Sequence, residues 1–128
     1  MANIKFKVAM AIGCNNTERT EAFELYRQAL GATLLHHSIP PDGGDIYMLI
    51  SIGGTEVLLT PAASTADSIN NLMTCEVHFE TETDLRHAYD VLCREGRDAS
   101  LQGPYPWAKI LALVTDKFGI DWALYYNP

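Results

Sequence analysis

The chain has 128 residues, 48% of them hydrophobic, which is enough for one domain with one core. Sixteen acidic against nine basic side chains give a net charge of −7, which works against nucleic acid and anionic membrane surfaces as partners, and neither is expected. Three cysteines without a CxxC pair indicate neither a disulfide framework nor a clustered zinc site.

The chain opens with apolar residues alternating with polar ones, unlike the continuous apolar stretch of a signal peptide. No run approaches the roughly 20 apolar residues of a membrane span. A cytoplasmic protein is therefore expected. Over residues 4–12, Ile4, Phe6, Val8, Met10 and Ile12 fall on one face and Lys5, Lys7, Ala9 and Ala11 on the other, which predicts a strand. Asn16 or Thr17 can cap a helix over 17–30, where Ala22, Phe23, Tyr26, Ala29 and Leu30 recur at helical spacing before Gly31. Three further strands are predicted over 33–39, 46–52 and 56–60, separated by the Pro40-Pro41-Asp42-Gly43-Gly44 and Gly53-Gly54 turns.

After a linker over 61–73 the same order begins again with a strand over 74–80. Thr81-Glu82-Thr83-Asp84 forms a capping box for a second helix over 83–95, with Leu85, Ala88, Tyr89 and Leu92 as its apolar stripe and Gly96 as its terminator. Strands follow over 99–102, 110–115 and 122–126. Gly31 and Gly96 end the helices and Gly54 and Gly119 turn the last hairpins, so the halves share a register. The expected fold class is α+β: a single domain, 1–128, of two tandem βαβββ repeats, 1–60 and 74–126. Their mixed sheets form a curved cup with the helices outside.

Glu21-Ala22-Phe23-Glu24-Leu25-Tyr26 followed by Leu30-Gly31-Ala32 resembles the "eAieFY…lGa" signature of the vicinal oxygen chelate (glyoxalase/bleomycin resistance/dioxygenase) superfamily. Trp107 and then Thr115-Asp116-Lys117-Phe118-Gly119-Ile120-Asp121-Trp122 resemble the "W…vtDkFGv.W" ending of its PhnB-like branch. The resemblance implies a cup that takes a small molecule and a homodimer. It leaves metal-dependent lyases, isomerases and dioxygenases beside metal-free binding proteins, because fold membership does not choose among chemistries.

Metal-using relatives place His or Glu on the first, fourth, fifth and eighth strands. Here the first strand has no His, Asp or Glu, Leu58 or Leu59 stands on the fourth, and Ala123 stands on the eighth. Glu56 comes too early, beside the turn. The fifth strand keeps Glu76, His78 and Glu80 opposite the apolar Cys75, Val77 and Phe79. No metal and no other cofactor is expected, and Glu76 is expected to pair with Lys5 or Lys7 on a neighbouring strand. Of the adjacent His36 and His37, at most one reaches the cup. Tyr105 and Trp107, in a proline-framed loop, are expected to wall the cup mouth, with Trp122 in the core. The candidate ligand-binding residues are Trp107, Tyr105, Glu76, His78 and Lys7; Glu76 and His78 are also the only candidates for catalysis. A binding protein for an aromatic or cationic organic ligand is favoured over an enzyme with an atypical site.

Overall fold

The computed structural model describes residues 3–13, 15–38, 40–62 and 73–128. Cys14, Ile39 and most of the 61–73 linker lie outside them. The elements run β1 (Val8–Ala11), α1 (Asn16–Leu30), β2 (Thr33–Ser38), β3 (Tyr47–Ile52), β4 (Thr55–Thr60), β5 (Cys75–Phe79), α2 (Glu82–Leu92), β6 (Arg97–Gln102), β7 (Ile110–Thr115) and β8 (Asp121–Tyr126). Each half is βαβββ.

The strands make two separate four-stranded sheets, ordered β1-β4-β3-β2 and β5-β8-β7-β6. In each, the first strand runs parallel to the last and the other pairs are antiparallel. The sheets do not join into a closed cup. Among the described residues β1 and β5 each have a single neighbour, at one edge.

The core lies between the sheets and the two helices, which also touch each other. α1 turns Ala22, Tyr26 and Ala29 inward at helical spacing, and α2 does the same with Leu85, Ala88, Val91 and Leu92. Met10, Met48, Ile50, Val57 and Leu59 meet them from the first sheet, and Ile110, Ala112, Val114, Trp122 and Leu124 from the second. Alternation along each strand leaves a second face on each sheet, turned away from the helices.

Several boundaries differ from the expected ones. Of the predicted 4–12 strand, Val8–Ala11 pairs with β4 and the Ile12 amide still donates to the Thr60 carbonyl at 2.8 Å, while Ile4 and Phe6 stand 84% and 85% exposed. Asn15, not Asn16 or Thr17, caps α1, its Oδ1 accepting from the Glu18 amide at 2.9 Å. Asn16 is drawn instead into a cluster around Arg19, which is fully buried. The Arg19 guanidinium donates to the carbonyls of Ile12, Gly13 and Ile46, to Asn16 Oδ1 at 2.6 Å and to Asp45 Oδ1 at 3.0 Å. This charge is tolerated in the interior because every donor is directed at an acceptor.

The second helix starts as predicted, with Thr81 Oγ1 accepting from the Asp84 amide at 3.1 Å, but ends at Leu92 with Cys93 as its cap. The left-handed residue here is Glu95, at φ 57°. Gly96 is therefore not the counterpart of Gly31, which takes φ 68° as a left-handed helix cap. A Cβ on Gly96 would stand 2.6 Å from the Thr115 carbonyl oxygen, so close packing of the turn on β7 demands the glycine. Gly54 and Gly119 do correspond, at φ 85° and 88° in the last hairpin of each half.

Candidate functional site

Two carboxylates of the second repeat, one buried and one open, define its two faces. Asp116 closes the β7–β8 hairpin. Its Oδ1 accepts from the amides of Phe118 (2.8 Å) and Ile120 (3.1 Å), and its Oδ2 from the Tyr26 hydroxyl (2.7 Å) and the Trp122 indole Nε1 (2.8 Å). Tyr26 and Trp122 also meet edge to face, their rings 5.3 Å apart. A carboxylate with no solvent exposure thus ties the first helix to the last hairpin. Burial pushes its carboxyl above the usual Asp value, against the pull of the four donors, and burial also raises the Tyr26 phenol, helped by the neighbouring Asp116 charge. The Asp-Lys-Phe-Gly-x-x-Trp run is thereby explained as architecture: acceptor, turn, and the indole that donates back.

The opposite face of the second sheet carries the candidate site. Because β5 pairs in parallel with β8, Glu76 lies beside Ala123 and His78 beside Tyr125. These rows continue through Leu113 to Ser100 and through Leu111 to Gln102. His78 stacks on Tyr125, their rings 4.7 Å apart and 9° from parallel. Glu76 stands 3.4 Å from both His78 Nε2 and the Tyr125 hydroxyl, contacts too long to hold it tightly. His78 and Glu76 are both largely exposed, and burial raises the Tyr125 phenol, with the Glu76 charge acting in the same direction. The result is an open carboxylate beside a flat aromatic pair, on a strip of half-buried leucines.

The far end of this face reaches the proline-framed loop. Gln102 Oε1 accepts from the Tyr105 hydroxyl at 3.0 Å while Gln102 Nε2 donates to Ser100 Oγ at 3.1 Å. Tyr105 in turn stacks on Trp107 at 4.8 Å and 3°. From His78 to Gln102 is three strand spacings, about 14 Å. Trp107 is 62% exposed and does not line the cavity described next, whereas Trp122 is buried in the core.

A cavity of about 460 Å³ is lined by Val8, Met10 and Val57 from the first half and by Cys75, Val77, Phe79 and Trp122 from the second, with Glu76 and His78 also in its wall. Burial pushes the Cys75 thiol up, reinforced by the Asp116 and Asp121 charges. Lys7 lines a different hollow, with Lys5, Phe6, Gly54 and Glu56. The expected ion pair between Glu76 and Lys5 or Lys7 is not formed within the chain, where Glu76 meets His78 and Tyr125 instead; β1 and β5 are not neighbours in a sheet, so the lysines are out of reach. In the first sheet His36 pairs with Leu49 on the face away from the helix, and His37 with Met48 on the helix side.

The donor set does not fit a divalent cation. The positions opposite the helices are Ala9 on β1, Leu58 on β4, Glu76 on β5 and Ala123 on β8, and among the described residues no three His, Cys, Asp or Glu side chains converge.

The profile of the glyoxalase/bleomycin resistance protein/dioxygenase superfamily matches residues 10–124. No curated protein matches the sequence. Among solved structures, a PhnB protein from Bacillus cereus superposes with a TM-score of 0.78 at 19% identity, covering 97% of this chain and 100% of that one. Protein PA1353 from Pseudomonas aeruginosa superposes at 0.70 with 21% identity, covering 96% and 98%. The fosfomycin resistance protein FosX from Listeria monocytogenes, in complex with Mn(II) and 1S,2S-dihydroxypropylphosphonic acid, superposes at 0.67 with 10% identity, covering 98% and 90%. At these identities the likeness is one of fold.

Proposed function

From the premise that the chain belongs to the glyoxalase/bleomycin resistance/dioxygenase superfamily and is PhnB-like, we propose that it is a small-molecule-binding protein. It works without the superfamily's metal, as a homodimer, and takes a flat organic cation on the open face of the second sheet. The observation that carries this reading is the stacked His78–Tyr125 pair with the loosely held Glu76 carboxylate beside it. A planar ligand can stack there while its positive charge meets Glu76, and Leu111 and Leu113 offer apolar contact. The Tyr105–Trp107 stack, tied to the same face through Gln102, is the second contact for a long ligand.

Among the described residues no three His, Cys, Asp or Glu side chains converge as a chelate, and the His78–Glu76 contact of 3.4 Å is the arrangement on this face that acid–base chemistry would use. The overall charge of −7 also suits a cation. The test is titration calorimetry with three sets of flat aromatic probes: cations, their neutral isosteres and anions. Binding of the cations is expected, weakened by Glu76→Gln roughly 10- to 100-fold, as for loss of a hydrogen bond to a charged group worth about 1.5–3 kcal/mol. Equal affinity for neutral isosteres, or indifference to Glu76→Gln, refutes the assignment.

A further inference from the structure

The cavity of about 460 Å³ and the open binding face share two residues, Glu76 and His78. Along β5, Cys75, Val77 and Phe79 turn towards the core and Glu76 and His78 away from it, and all five line the cavity. Successive side chains of a strand point to opposite sides, so residues of both faces border one space only where that space runs along the strand's edge. β8 occupies one edge of β5, which puts the cavity along the other, unpaired among the described residues.

The wall is mostly apolar. Val8, Met10 and Val57 supply it from the first half and Val77, Phe79 and Trp122 from the second, while among the described residues Glu76 carries its only formal charge and His78 its only imidazole. The volume falls within the roughly 300–1,000 Å³ of small-molecule pockets. Hydrocarbon placed against such a wall leaves water, and the gain grows with the apolar area covered.

We infer that the ligand is amphipathic: a flat cationic head on the His78–Tyr125 stack beside Glu76, continued by an aliphatic tail that passes the Glu76 carboxylate and lies along β5 in the cavity, against Val77 and Phe79. Because Glu76 borders both spaces, the charged atom next to it is the one that bears the tail, as in an N-alkylated heteroaromatic ring. The inference rests on the cation site of the proposed function and adds the tail to it. The head lies on an open face where water competes for every contact, so the tail supplies most of the affinity.

The test is titration calorimetry with N-methyl-, N-butyl- and N-octylquinolinium, each below its micelle concentration. The methyl compound is expected to bind through its head alone. Each further methylene buried in the cavity is expected to tighten binding by up to roughly fourfold, levelling off once the tail outruns the space. Val8→Trp narrows the cavity from β1 and Val77→Phe from β5; in whichever of them is folded by circular dichroism, the ratio of octyl to methyl affinity is expected to fall towards one. On the wild type, which needs no substitution, the octyl compound is expected to slow alkylation of Cys75 in the wall and not of Cys93 at the end of α2, read by peptide mass spectrometry. Methyl binding without a gain from the tail, a gain that survives both fillings, or a Cys75 that stays unprotected overturns the tail and leaves the cation site standing. Octyl binding that is indifferent to Glu76→Gln overturns the cation site and the inference with it, as does failure of every compound to bind.

Discussion

Asp116 and Glu76 have similar neighbours and opposite tasks. Each has a tyrosine hydroxyl and an aromatic ring nitrogen within reach: Tyr26 and Trp122 for Asp116, Tyr125 and His78 for Glu76. Asp116 is fully buried, adds two backbone donors, and holds its side-chain partners at 2.7 and 2.8 Å. Glu76 is exposed and its contacts are 3.4 Å long. Burial turns a carboxylate with its donors into a structural tie, because leaving any donor unmet in the interior is costly. The same groups at the surface stay exchangeable with water, and therefore with a ligand.

The contrast is broken most severely at Asp116. Asp116→Ala strands the Tyr26 hydroxyl, the Trp122 indole and two amides, and is expected to cost about 3–5 kcal/mol in urea unfolding. A loss under about 1 kcal/mol would show that the tie is dispensable. Close behind comes the pair of tryptophans. Trp122→Ala opens a cavity between helix and sheet and is expected to cost about 3–5 kcal/mol, whereas Trp107→Ala, which removes an exposed ring from the Tyr105 stack, is expected to cost about 1 kcal/mol or less. Equal losses from the two would place Trp107 in the core.

At the open carboxylate the effects should separate in the other direction. Glu76→Gln is expected to leave stability within about 0.5 kcal/mol while reducing affinity for a flat cation. A large stability loss without a change in affinity would make Glu76 a second Asp116. The smallest expected effect is that of added metal. Zn²⁺, Ni²⁺ or Mn²⁺ at a concentration about 100 times a genuine dissociation constant would contribute roughly 2.7 kcal/mol to stability. Little or no rise in Tm is expected, and a large rise with about one ion per chain by elemental analysis would restore the metal-dependent reading.

The sequence by itself determined the element order, both helices and most strands, because period-3.6 and period-2 patterns, a capping box and turn glycines are local signals. It also determined which residues of β5 face away from the core, since Cys75, Val77 and Phe79 alternate with Glu76, His78 and Glu80 within one strand. What it could not carry were the contacts between segments distant in sequence. Asp116 reads locally as a turn residue, and only the packing of α1 on the last hairpin brings Tyr26 to it across 90 positions. Arg19 reads as the polar face of a helix, and only the approach of residues 12–13 and 45–46 buries it. Tyr125 could be named as one aromatic among several, but parallel pairing of β5 with β8 makes it the platform beside Glu76. The Lys–Glu76 pair failed within the chain for the same reason: charge and alternation say which edges suit each other, while tertiary structure decides whether two strands of one chain can meet.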